Sequence, residues 1–146
     1  MIKKKVLKPV FTIIDKKVMF QSEREKVKRS IVDVLNAPKS LVSIDVNDVR
    51  DLFQEGGVIH AFNASVDASM ENRMMLMMAK IMKHAECFEP YNHALVFLFF
   101  PEDRPLLMEE LKPFSDWIES VPAEFLIKWG MATHSTQEIR AIVLLQ

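Results

Sequence analysis

The chain has 146 residues, nearly half of them apolar, a formal charge of −1 and one cysteine, Cys87. That length suits a single domain with a substantial core, and one cysteine excludes an internal disulfide. The longest apolar run, 94–100, falls far short of the roughly 20 residues that cross a bilayer, so the sequence reads as a soluble protein with no membrane insertion, and the lone cysteine suits a reducing cytoplasm.

The charge is unevenly spread. Residues 1–30 hold ten Lys and Arg against three Asp and Glu, while 31–146 hold nine against seventeen. A basic head on an acidic body suits a nucleic-acid or membrane contact, or two faces that dock on each other or on another copy. The strand-like apolar pattern within the head favours a solvated or self-docking segment, and no nucleic-acid partner is expected.

In chain order, residues 5–20 read as two short extended pieces around Asp15-Lys16-Lys17, a basic strand-like segment set apart from 21–146. Ser22 with Glu25 forms a capping-box pattern for a helix whose stripe is Val27, Ile31, Val34 and Leu35, ended by Pro38. Residues 41–44 are an extended link. Asp45 then caps a second helix, with Val46, Val49, Leu52 and Phe53 on one face and Gly56-Gly57 as its stop. Residues 58–65 read as a strand. Asp67 or Ser69 caps a third helix over 70–85, burying Met74, Met77, Met78, Ile81 and Met82.

Residues 93–100 are apolar on both faces, as in a strand covered on both sides. A fourth helix is expected over 108–121, with Leu107, Leu111, Phe114, Ile118 and Val121 on one face. Pro113 there implies a start near Glu109 and a distorted first turn. Residues 124–132 and 138–146 close the chain as strands, expected to pair as an antiparallel hairpin. Alternating strands and helices favour parallel neighbours. The fold class is α/β (α+β), with a four-stranded mixed sheet packed with helices.

Asp45, Asp48 and Asp51 recur at three-residue steps where the extended link enters the second helix. A carboxylate at a helix start accepts bonds from free backbone N–H groups, which accounts for one of them. Asp48 and Asp51 are read either as a solvated face, dispensable for folding, or as metal ligands, although a divalent ion wants more oxygens than one turn supplies. His84, Cys87 and His93 match no strong zinc pattern and have no evident fourth ligand, and Cys87 has no visible partner that would orient a base. The methionines of 74–82 suit core or an adaptable binding surface. The only glycines are Gly56, Gly57 and Gly130, too few and too scattered for a phosphate-cradling loop, so no autonomous nucleotide site, cofactor or metal is expected.

Over about residues 23–146, the order of elements and several short motifs resemble the C-terminal, activation domain of FtsZ, the bacterial tubulin-like cell-division GTPase. That family has a central helix ending near a proline, then Asn-x-Asp-x-x-Asp-Val running into a helix. Here the same place reads Ser43-Ile44-Asp45-Val46-Asn47-Asp48-Val49-Arg50. The family's Ala-Ser-Gly-Glu-Asp/Asn-Arg is matched by Ala68-Ser69-Met70-Glu71-Asn72-Arg73, and an acidic pair before a leucine by Glu109-Glu110-Leu111.

The resemblance implies that the 40–57 segment inserts against GTP held by a neighbouring subunit. Asp45 and Asp48 would then polarise the attacking water in trans, with Ser43, Asn47, Arg50 and Asp51 at the interface. Phosphoryl hydrolysis needs a positioned water more than a covalent group. Ser43 replaces the family's Asn, and the family's GTP-binding domain has no counterpart. The resemblance therefore implies a stand-alone interaction domain that docks on or caps a tubulin-like GTPase filament, or self-associates, and is not an enzyme by itself. A structural oligomerisation or small-ligand-binding domain that kept the fold without the filament role is the alternative.

Overall fold

The computed structural model describes residues 4–37, 40–54, 56–85 and 91–146. Pro38 and Cys87 lie outside these residues, and with them the expected helix stop and the third member of the His84, Cys87 and His93 group.

The elements run α1 (Lys4–Lys17), α2 (Gln21–Leu35), β1 (Ser40–Val42), α3 (Val46–Phe53), β2 (His60–Asp67), α4 (Arg73–Ala85), β3 (His93–Pro101), a 3-10 helix (Met108–Leu111), α5 (Lys112–Ser120), β4 (Leu126–His134) and β5 (Glu138–Leu145). They form one mixed sheet in the order β1-β4-β3-β5-β2. It has five strands, one more than expected, because the short link after α2 pairs antiparallel with β4 at Ala132 and Met131.

Side chains alternate between two cores. Ala94, Val96, Leu98 and Phe100 of β3 face α4 and α5, with Met74, Met77, Met78, Ile81, Phe114 and Trp117. Leu95, Phe97 and Phe99 face α1, α2 and α3, with Ile14, Ile31, Val49 and Phe53. Helices thus cover both faces of the sheet, and the two strands with the longest apolar runs, β3 and β5, lie inside it.

The head is a helix, not two extended pieces. Leu7, Val10, Ile14 and Val18 recur at helical spacing and are all buried. Their β-branched content mimics a strand pattern, but the period is that of a helix. Pro9 sits inside α1 and cannot donate to the ladder, so packing against α2 and α3 carries this helix over an unfavourable residue. Lys28 of α2 ties it down through Asp15 at 2.6 Å and lies over the Phe11 ring. With three residues between the helices, α2 begins at Gln21 behind Phe20, so Ser22 falls inside the helix and its capping box does not form.

Two further expectations are corrected, and the distorted start expected of the fourth helix is observed. Met82 is exposed, because the buried stripe of α4 runs through Ala85 instead. Asp67 does not cap α4; its carboxylate accepts bonds from the Ser69 N–H (2.8 Å) and hydroxyl (2.7 Å), forming a turn ahead of the helix. The segment at 108–120 divides into the 3-10 turn and α5, with Pro113 in the first turn of α5, where a missing N–H does no harm.

The last two strands do not pair with each other. β3 lies between them, parallel to β4 and antiparallel to β5. Residues 135–137 therefore cross the end of β3, spanning two strand spacings of about 4.8 Å each, which three linking residues can reach. β2, β3 and β4 consequently point the same way, and the sheet has two distinct poles.

Candidate functional site

The segment that holds the aspartates lies at the pole where β3 and β4 begin. Ile44, Val49, Leu52 and Phe53 are buried, which turns the intervening positions outward. Ser43, Asp45, Asn47, Arg50 and Asp51 are exposed and Asp48 is half-buried. Five of the six candidate residues thus share an open surface, and the sixth is partly withdrawn from it.

Asp45 is the N-cap of α3, with extended backbone, and Asp48 is the third residue of the helix. Asp45 Oδ1 accepts the Asp48 N–H at 2.9 Å, and Asp48 Oδ2 accepts the Asp45 N–H at 3.0 Å. Two backbone donors with no helical partner are satisfied reciprocally, the geometry of a capping box built from two aspartates. The remaining Asp48 oxygen, Oδ1, accepts from Lys128 Nζ of β4 at 2.9 Å. Its carboxyl is held below the usual aspartate range, first by the Asp45 backbone N–H and next by Lys128.

The two carboxylates are therefore unequal. Asp48 has both oxygens engaged. Asp45 has Oδ2 outside these bonds, on an exposed residue next to the fixed helix start. Such a group can accept a hydrogen bond from a water or a donor on a docked partner, and Asp48 and Lys128 hold it in place. Arg50 and Asp51 are only loosely paired, at 3.7 Å, leaving mixed charge on the same surface. Lys128, eighty positions from Asp48, went unrecognised in the sequence, where it is one lysine within an apolar strand.

Behind this surface the loop after α3 is firmly held. Gly56 has a φ of +119°, and a Cβ there would come within 2.8 Å of the Gln146 side chain. Gln146 is buried; its amide donates to Gly57 O at 2.9 Å and Phe53 O at 3.3 Å, and its Oε1 lies 2.9 Å from His93 Nδ1. Lys17 of α1 donates to Gly56 O at 2.5 Å. Gly56 thus serves the close approach of Gln146 after the helix has ended at Phe53, whereas Gly57 meets nothing and contributes its carbonyl as an acceptor.

A second charged group lies at the opposite pole. Arg73, at the start of α4, is 7% exposed. Its Nε and Nη2 grip Glu110 at 2.6 and 2.8 Å. Nη1 donates to Ala68 O and Arg104 O, and Nη2 also to Pro105 O. Glu110 in turn accepts from the Leu107 N–H at 3.1 Å. The Glu110 carboxyl is held below the usual range, chiefly by Arg73. This clamp joins two motifs noted separately in the sequence, Ala68–Arg73 and Glu109–Leu111, through Arg73 and Glu110.

Among the described residues no group of three or more His, Cys, Asp or Glu is placed to hold a metal ion. His84 stacks on Phe62 at 4.7 Å, and His93 is engaged with Gln146. No helix among them is long and apolar enough to cross a membrane.

No family model and no curated protein matches the chain. Solved structures do. An FtsZ dimer from M. jannaschii superposes with a TM-score of 0.64 at 19% identity, covering 94% of this chain and 42% of that one. TubZ from Bacillus thuringiensis serovar israelensis, in GDP-form protofilaments, gives 0.63 at 13% identity, covering 84% of this chain and 36% of that one. CetZ2 from Haloferax volcanii, in a GTPγS-bound protofilament, gives 0.55 at 16% identity, covering 92% and 43%. The chain thus has a fold found in tubulin-like GTPases and spans less than half the length of each of these proteins.

Proposed function

We propose that residues 21–146 correspond to the C-terminal, activation domain of a tubulin-like GTPase, and that this domain docks through Ser43–Asp51 on the nucleotide-bearing surface of a tubulin-like GTPase subunit. The observation that carries the reading is the reciprocal Asp45–Asp48 cap, which fixes an exposed carboxylate with one oxygen left over. In this reading Asp45 Oδ2 orients the attacking water in trans, and Asp48 is a positioning residue that acts through Asp45 and Lys128. The protofilament forms of TubZ and CetZ2 support a role in assembly. These 146 residues contain no glycine-rich phosphate loop to present to a further subunit. Docked by themselves, these residues would offer no such surface and would stop growth at that end.

Filament pelleting tests the reading. A tubulin-like GTPase from the same organism is assembled with GTP, and this chain is added well below equimolar amounts. Docking and capping give shorter filaments and less pelleted mass, with the effect abolished by Arg50→Glu together with Asp51→Lys. Unchanged filaments would leave the alternative, a domain that kept this fold for a structural role. The same cap is compatible with that alternative, because it stabilises α3 whether or not a partner docks.

A further inference from the structure

At the pole opposite the aspartates, between the start of α4 and the 3-10 helix with α5, lies an open cleft of about 310 Å³. Met75 and Met74 line one wall and Pro113 the other, with Glu71, Glu109, Glu110, Lys112 and Asp116 around them. Met75, in the first turn of α4 and lining the cleft, is 63% exposed, and the segments that adjoin the lining residues carry Met108 at 84%, Leu107 at 52% and Met70 at 49%. The reading of α3 gives them no part.

Exposed large apolar side chains gathered at one place mark an interaction site, and methionine, flexible and polarisable, suits a surface that moulds to its partner. The floor is rigid. Arg73 gathers Ala68, Arg104, Pro105 and Glu110 around one guanidinium, which holds the Met70 turn and the Leu107–Met108 turn at a fixed spacing. Flexible side chains on a fixed frame let a partner bind without ordering the backbone.

The charge selects the partner. Four carboxylates line the cleft, against one lysine on its rim and Arg73 beneath. Glu110 is neutralised by Arg73 and Asp116 by Lys112, at 2.9 Å, so Glu71 and Glu109 set the local sign. The surrounding acidic body acts in the same direction. We propose that this cleft, together with the adjoining segments that carry Met70, Leu107 and Met108, is a docking site for a basic amphipathic helix of a partner protein, its apolar face on Met75 and those three side chains and its Lys or Arg residues toward Glu71 and Glu109. The site lies at the far end of the strands from Asp45, so both faces can be occupied together.

The test uses the full chain with 13C-labelled methionine methyl groups and two synthetic 14-residue helical peptides, one of Leu and Lys, the other of Leu and Glu. The Leu/Lys peptide shifts the Met70, Met75 and Met108 methyl signals to saturation and leaves buried Met77 unmoved, as well as Met19, which is 84% exposed at the other pole. The Leu/Glu peptide does not. M75D with M108D weakens binding at least tenfold, and E71K with E109K reverses the preference. Both pairs lie at the surface, and unchanged thermal melts establish that they fold. Met19 moving as much as Met108, a preference unaffected by E71K with E109K, or dimerisation of the free chain that M75D with M108D abolishes would each overturn the proposal, the last by identifying a second copy as the occupant. None of these readouts involves a GTPase, so they stand or fall separately from the docking of α3.

Discussion

At the start of α3, two carboxylates hold backbone N–H groups at the surface; at the start of α4, an arginine is drawn into the fold and surrounded by acceptors. Asp48 and Lys128 keep 37% and 35% of their side chains exposed, whereas Arg73 and Glu110 keep 8% and 19%. Both clusters are ion pairs that join distant parts of the chain. What separates them is the water each has lost. A half-solvated pair can be broken at little cost, while a withdrawn pair is committed to the fold.

The largest expected effect comes from breaking the withdrawn pair. Arg73→Met leaves Glu110 without its cation and three carbonyls without their donor. It should cost ~3–5 kcal/mol, the usual range for orphaning one member of a buried pair, measured by urea unfolding. A loss below ~1 kcal/mol, the range of exposed pairs, would erase the contrast between the two clusters.

Acid should act unequally on the two clusters. Glu110 and Asp48 both have folded-state values lowered from the ordinary 4.5 and 3.8. A lowered carboxyl contributes stability that is complete above its unfolded-state value and is lost as pH falls through the folded-state value. Stability should therefore decline below about pH 4.5, the ordinary glutamate value. Glu110→Gln should flatten that decline more than Asp48→Asn, because Arg73 is the more withdrawn partner. Thermal melts between pH 2 and 7, about the span over which carboxyls titrate, would read this directly. Equal flattening by the two substitutions would contradict it.

Asp48→Ala removes half of the capping box and the Lys128 partner, and should cost about 1 kcal/mol, as lost helix caps do. The sequence alone suggested a dispensable surface position. Lys128→Met, which leaves the cap intact and removes an exposed pair, should stay within about 0.5 kcal/mol. If Lys128→Met costs more than Asp48→Ala, the pair and not the cap holds α3.

Much of this was legible in the residues. The Asp45 cap, the face Val49–Leu52–Phe53 and the doubly covered strand at 93–100 follow from spacing and polarity, which are local signals. What the sequence misled on was set by distant contacts. Residues 5–20 looked extended because Val10, Ile13, Ile14 and Val18 are strand-prone, yet burial against α2 and α3 selects the helix. The 135–137 turn looked like a hairpin because its length fits one, and only the insertion of β3 between β4 and β5 shows otherwise. Arg73 and Glu110 were both visible as motif residues, but nothing local joins positions 37 apart. Gly56 was read as a helix stop when its neighbour in space is Gln146.

The proposed docking of the α3 surface on a tubulin-like GTPase can be read by amide hydrogen exchange of this chain with and without a GTP-loaded tubulin-like GTPase from the same organism. Docking through α3 gives slowed exchange in residues 43–51, retained in Asp45→Asn, with residues 70–76 and 107–111 unchanged. Slowed exchange confined to the Arg73 pole, or no change at 43–51 under conditions where the GTPase assembles, would contradict it.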